Sequence, residues 1–265
     1  MLKSLLSREV DRWKRSVRAI AGGHGGADAV HQLRIISRRC REGFRLIGYK
    51  NEVLGRFNRS LSPVRDLEML TQRLAAERHP SPERRRLQRL FNERRSAMAR
   101  KLIQRVRSPA VHLLGNSLQE TLRTASIGHA EQKTLARAAL TKASKRLQRL
   151  WNKRPKKPDS VYLHPLRRAI RRVRYVSELL TPMGGKQFIR LSERAIRWQR
   201  LLGDYQDALI AQRLLKSVSQ KNAKALTKTF QTMEKRAAKR FWKKWHRKGW
   251  HKLRRQTQKA IKTLR

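Results

Sequence analysis

Apolar residues return every three or four positions along most of the chain and nowhere alternate over a long run, which predicts helices and no strand. In the segment 29–48, Leu33, Ile36, Cys40, Phe44 and Ile47 fall on one stripe of a helix, a face that buries against neighbours. The same reading places helices at 4–21, 29–48, 50–61, 64–79, 82–107, 109–124, 130–153, 163–181, 186–217 and 219–264. The last is too long for one straight element and is expected to bend near Gly249.

Glycine and proline fall between these segments. AGGHGGAD (21–28) reads as a link ending in Asp28, a candidate cap for the next helix, and Ser81-Pro82 sets a capping side chain before a proline at the first helical position. RPKKPDS (154–160) separates two halves, and PMGG (182–185) reads as a tight helix-to-helix turn. The expectation is an all-α array of long antiparallel helices in one domain, with halves 1–130 and 131–265.

The polar positions change the picture. His31, Arg34, Arg38, Arg41 and Arg45 form a second stripe of the 29–48 helix, about 100° from the apolar one, with Arg39 at its flank. At an offset of 133 residues the pattern recurs as His164, Arg167, Arg171, Arg172 and Arg174, over an apolar face of Leu166, Ile170, Val173 and Val176. Downstream, LSPVRD (61–66) is matched by LGDYQD (202–207), which predicts an internal duplication. Glu178 stands where Arg45 would recur and is expected to pair with Arg174.

Like charges one turn apart repel, so a doubled cationic stripe points to a shared anion. Arginine suits phosphate, because its planar fork donates two parallel hydrogen bonds. Both histidines are expected in or next to a first turn, where free N–H groups favour an anion, and are read as ligand contacts. Asp66 and Asp207 recur in the two halves and are expected to fix arginines in position. Paired carboxylates or a metal cluster, which catalysis would need, are not evident; the expectation is no enzyme, metal or cofactor.

Composition agrees: 67 Lys+Arg against 18 Asp+Glu leave a formal net charge of +49, which opposes a compact state unless a partner offsets it. Nucleic acid, an anionic membrane surface and inorganic polyphosphate are the candidate partners. Further basic stripes at Lys142, Lys145 and Arg149, and at Arg190, Arg194 and Arg197, could widen the same surface. Cys40 reads as a small buried hydrophobe, and Trp242 and Trp245 as packing residues. No stretch has the apolar length of a membrane span or the pattern of a signal peptide, so a soluble cytoplasmic protein is expected.

The paired H-x-x-R-x-x-x-R-R-x-R blocks, each followed by an L-G-x-x-x-D-like block, resemble the CHAD domain, the histidine-bearing α-helical domain. The resemblance spans nearly the whole chain, to FWKKWHRKGW (241–250). It implies two pseudo-symmetric helical bundles around a basic groove, binding of inorganic polyphosphate, and in some members association with polyphosphate granules. It also implies ligand contacts from His31, Arg34, Arg38, Arg39, Arg41, His164, Arg167, Arg171, Arg172 and Arg174. Ser62-Pro63 departs from the glycine of the pattern, kept in the second copy as Gly203, and a kink is expected at Pro63. The alternating-glutamate motif of the catalytic domain that precedes some CHAD domains does not occur, so a non-catalytic binder is expected. Nucleic-acid backbone binding is the alternative, disfavoured by 6% aromatic residues and the lack of a recognition motif.

Overall fold

In the computed structural model, which describes residues 1–24, 26–76, 81–218 and 221–264, the apolar stripes become the contacts between helices. The chain runs α1 (Leu2–Ala21), α2 (Gly26–Leu46), α3 (Glu52–Ser60), α4 (Ser62–Ala75), α5 (Pro82–Arg107), α6 (Pro109–Thr124), α7 (His129–Asn152), α8 (Ser160–Lys216), α9 (Lys221–Lys244), a π-turn (Trp245–Gly249) and α10 (Trp250–Lys262). Among the described residues there is no strand; the fold is all-α. No described helix is long and apolar enough to cross a membrane.

Leu33, Cys40 and Phe44 of α2 and Leu166, Ile170, Val173 and Val176 of α8 are all buried in the main core, with Ile36 and Ile47 packed at its edge. Burial pushes the Cys40 thiol up, so it stays a neutral core residue. α1 is fixed to α2 by a buried hydrogen bond in which Trp13 Nε1 donates to Ser37 Oγ at 3.0 Å. A second, smaller core joins Leu70 and Leu74 of α4, Leu87 and Phe91 of α5, and Ala211 and Leu215 of α8.

α8 is two antiparallel arms. The reversal falls at Gly185, whose φ of 51° and ψ of −131° suit a residue without Cβ. The arms are joined where Arg174 Nη1 donates to Gln199 Oε1 at 3.0 Å and where His164 Nδ1 lies 3.5 Å from Gln206 Oε1. The bend foreseen near Gly249 is the π-turn, which aligns Trp245, 5.0 Å from Trp198 ring to ring. A Cβ at Gly249 would stand 2.3 Å from that indole, so glycine is required. Trp245 is fully buried, and the partly buried Trp242 packs edge-on to Tyr162.

Several helix starts differ from expectation. α2 begins at Gly26, which leaves Asp28 in its first turn rather than at the cap. Ser81 caps α5 as foreseen, its side chain accepting from the Arg84 amide at 3.3 Å. Pro63 lies in the first turn of α4, so the chain breaks at Leu61 rather than kinking at the proline. α8 begins at Ser160 because Asp159 caps it, accepting from the Tyr162 amide at 2.9 Å, and Pro165 therefore sits inside the helix. A Cβ at Gly203 would meet open space, so no close backbone approach explains that glycine. The expected end of the fourth helix at 79 lies outside the described residues.

Candidate functional site

Between α2, α3, α4, α5 and both arms of α8 lies a cavity of about 1220 Å³. α2 contributes His31, Arg34, Arg38 and Arg41, one side chain per turn, because their stripe is turned away from the buried apolar one. The first arm of α8 contributes His164, Arg167, Arg168 and Arg171. Arg59, Arg65, Arg94, Lys101 and Arg213 complete a cationic lining in which the acids are Asp66 and Asp207.

Arg38, Arg167 and Arg171 line the cavity without an ion pair or side-chain hydrogen bond among the described residues. The Nε groups of Arg34 and Arg167 are buried and have no acceptor. Burial, then the neighbouring cation Arg38, holds Arg34 down to about 10 and Arg171 down to about 9, and Arg167 is lowered for the same reasons. All remain charged at neutral pH. The lowering measures how poorly the free protein satisfies them, and a bound anion would relieve it.

The two aspartates each pair with arginines. Asp66 lies 4.0 Å from Arg34 and 3.1 Å from Arg213, which ties α4 to both α2 and the second arm of α8. Asp207 lies 3.9 Å from Arg73. Burial raises both carboxyls, against the pull of these guanidinium groups.

Other residues of the expected site lie elsewhere. Arg39 meets Glu9 at 3.0 Å and Glu178 at 4.0 Å. Arg172 meets Glu42 at 3.6 Å, and Arg45 meets Glu42 at 3.0 Å. Arg174 donates to Glu178 at 2.6 Å, the pair the spacing predicted. Glu9 and Glu42 are buried behind the cationic walls, and Glu42 and Glu178 each tie an arginine of one wall's helix to the other. Arg39 and Arg172 thus brace α2 against α8, Arg45 pairs within α2 and Arg174 within α8, and none of the four lines the cavity. Lys142, Lys145 and Arg149 line a separate, smaller pocket on α7. Arg190 and Arg197 are exposed outside the cavity, and Arg194 donates to Gln256 of α10.

The histidines reach the cavity for a different reason from the one expected. His31 and His164 lie in the second turns of α2 and α8, beyond the free N–H groups of the first turn. Their side chains, not the helix ends, bring them to the site. His31 is half-buried, and burial, then Arg65 and Arg34, lowers its pKa below the ordinary 6.5, against the pull of buried Glu68. His164 is exposed at the rim.

A family model for the CHAD domain matches residues 4–216, from α1 to the end of α8. The chain belongs to the CHAD domain family. A crystal structure of the CHAD domain from the plant Ricinus communis superposes with a TM-score of 0.70 over 97% of this chain and 90% of that one, at 19% identity. That likeness is one of fold, and it extends through α9 and α10 beyond the CHAD family match. No curated protein matches by sequence.

Within this CHAD fold, the residues that sequence reasoning missed come mostly from α4, α5 and the far arm of α8. Arg94 and Lys101 are two turns apart on α5, with Ala97 and Met98 between them on the same face. That spacing was available in the sequence, but nothing in it told a cavity wall from a solvated face. Arg213 carries no repeat signal and is found only because the second arm folds back.

Proposed function

We propose that the chain binds inorganic polyphosphate in this cavity, without turning it over. The observation that carries the reading is the set of arginines, Arg38, Arg167 and Arg171, that face a shared space without an ion pair among the described residues, where cations far outnumber the two lining acids, Asp66 and Asp207. Leaving a buried charge uncompensated costs several kcal/mol, so such a constellation is favoured where an anion completes it. Polyphosphate carries about one negative charge per repeat and offers no base for sequence readout, which suits a lining of guanidinium forks. The two stripes are read as copies of one ancestral unit, and Arg39 and Arg172, paired across to Glu178 and Glu42, as the framework that holds the walls in place.

Titration with long-chain polyphosphate at two salt concentrations, with RNA as competitor, tests the reading. Affinity should fall steeply with salt as counter-ions are released. Polyphosphate that fails to displace RNA at equal phosphate concentration would favour a nucleic-acid binder. Shortened chains after incubation with divalent metal would make the protein an enzyme. A cytoplasmic location at polyphosphate granules belongs to the same proposal, and fluorescence microscopy of the tagged protein checks it.

A further inference from the structure

One wall of the cavity is not explained by phosphate. Where α5 faces the second arm of α8, the lining turns apolar, with Ala97 and Met98 on one helix and Ile210 and Leu214 on the other. Met98 is 39% exposed, and of the large apolar side chains that stand exposed among the described residues it alone lines this cavity. A bare phosphate chain gains nothing from such a surface and loses hydration beside it.

The strip is short and bounded. Ile210 and Leu214 are one turn apart, about 6 Å along the axis, and Arg94 and Lys101 flank Ala97 and Met98 on the same face of α5. A lipid acyl chain, about half of a ~30 Å hydrocarbon core, would overrun it into these cations. A planar heterocycle fits its length. Gln206, at the edge of the same wall, carries both donors and an acceptor for the rim of such a ring.

We propose that the cavity takes a nucleoside oligophosphate, with its phosphates on the Arg38–Arg171 wall and its base on the strip of Met98, Ile210 and Leu214. This rests on the reading of the cavity as a polyanion site and adds to it a second phosphate ligand, one that also uses the apolar strip. The arginine wall alone would bind inorganic tripolyphosphate at least as well as ATP, since both present three phosphates. The strip adds a term that only ATP can use, because burying roughly 60 Å² of a purine face corresponds to about a tenfold gain in affinity.

Calorimetric titration of the full chain with ATP and with inorganic tripolyphosphate, both without divalent metal, separates the cases. The expected result is ATP binding about tenfold tighter than tripolyphosphate. In the Met98→Gln, Leu214→Gln variant, ATP should fall to the level of tripolyphosphate, whose own affinity stays within about twofold. Tripolyphosphate bound and ATP no tighter would overturn this proposal and leave the polyanion reading standing. Neither ligand bound would overturn this proposal, and only a failure of long-chain polyphosphate to bind under the same conditions would overturn the polyanion reading with it. A variant that loses both ligands alike, or keeps the preference for ATP, places the base elsewhere and also overturns the assignment.

Discussion

Replacing Arg171 by methionine should do two opposite things. Arg171 lies against Arg38 and Arg167 in the cavity wall, and burial followed by these cations holds it well below the ordinary guanidinium value, down to about 9. Methionine keeps the length of the unbranched stem and removes the charge. Exchanging buried ionic groups for apolar ones of similar volume stabilises proteins by about 1–4 kcal/mol. Arg171 is partly open to the cavity, so the low end applies. A gain of about 1 kcal/mol in a chain of this size raises Tm by roughly 2–4 °C in the absence of polyanion. In its presence the sign reverses, because a lost charge-assisted hydrogen bond costs about 1.5–3 kcal/mol, or a drop in affinity on the order of 10- to 100-fold. Differential scanning calorimetry with and without polyphosphate reads both effects in one experiment. A variant that melts several degrees lower without ligand would refute the reasoning, since it would mean that Arg171 is already satisfied by the fold.

Arg38→Ala with Arg171→Ala should weaken polyphosphate binding far more than Lys259→Ala with Lys262→Ala, although each pair removes the same charge; equal losses in a titration at constant salt would point to diffuse attraction. His31 is depressed below 6.5 in the free protein, so its neutral form is the one the fold favours, and the stability linked to it is lost as pH falls below that value. A bound anion favours the imidazolium, so affinity should rise as pH falls through this region and binding should take up a proton, which calorimetry in buffers of different ionisation enthalpy detects and which His31→Gln should abolish. Glu42→Gln strips the partner from Arg41, Arg45 and Arg172 and should cost about 3–5 kcal/mol, the range for breaking a buried ion pair, measured by chemical denaturation.

The helices were legible because each is long enough to show its period, and the cation stripe of α2 was legible because its apolar partner stripe fixed the phase. Helical phase tells which way a side chain points from its own axis. It does not tell what stands opposite. Arg38 and Arg39 are neighbours in the same run, yet one faces a cavity and the other meets Glu9, thirty positions earlier and buried. From the sequence, acidic partners for the stripes looked nearly absent, because Glu9 and Glu42 are far from the repeat in sequence or hidden within it. The starts of α2 and α8 were misplaced for a local reason: Asp159 caps α8 ahead of a proline that the helix then absorbs.

The fold-back at Gly185 has a consequence for how chain length can vary in this part of the molecule. Arg171 on the outgoing arm and Gln206 and Leu214 on the returning arm line the same space, so the helical residues on either side of the reversal act as a phase gauge. Inserting one residue between Gly185 and Gln206 would turn every later side chain of the arm by about 100° and carry Ile210, Arg213 and Leu214 off the wall. An insertion of seven, nearly two whole turns, would restore their direction to within about 20° while moving them by roughly 10 Å along the axis. Loops elsewhere can grow residue by residue, whereas this arm can change length only in whole turns and only by sliding the opposite wall.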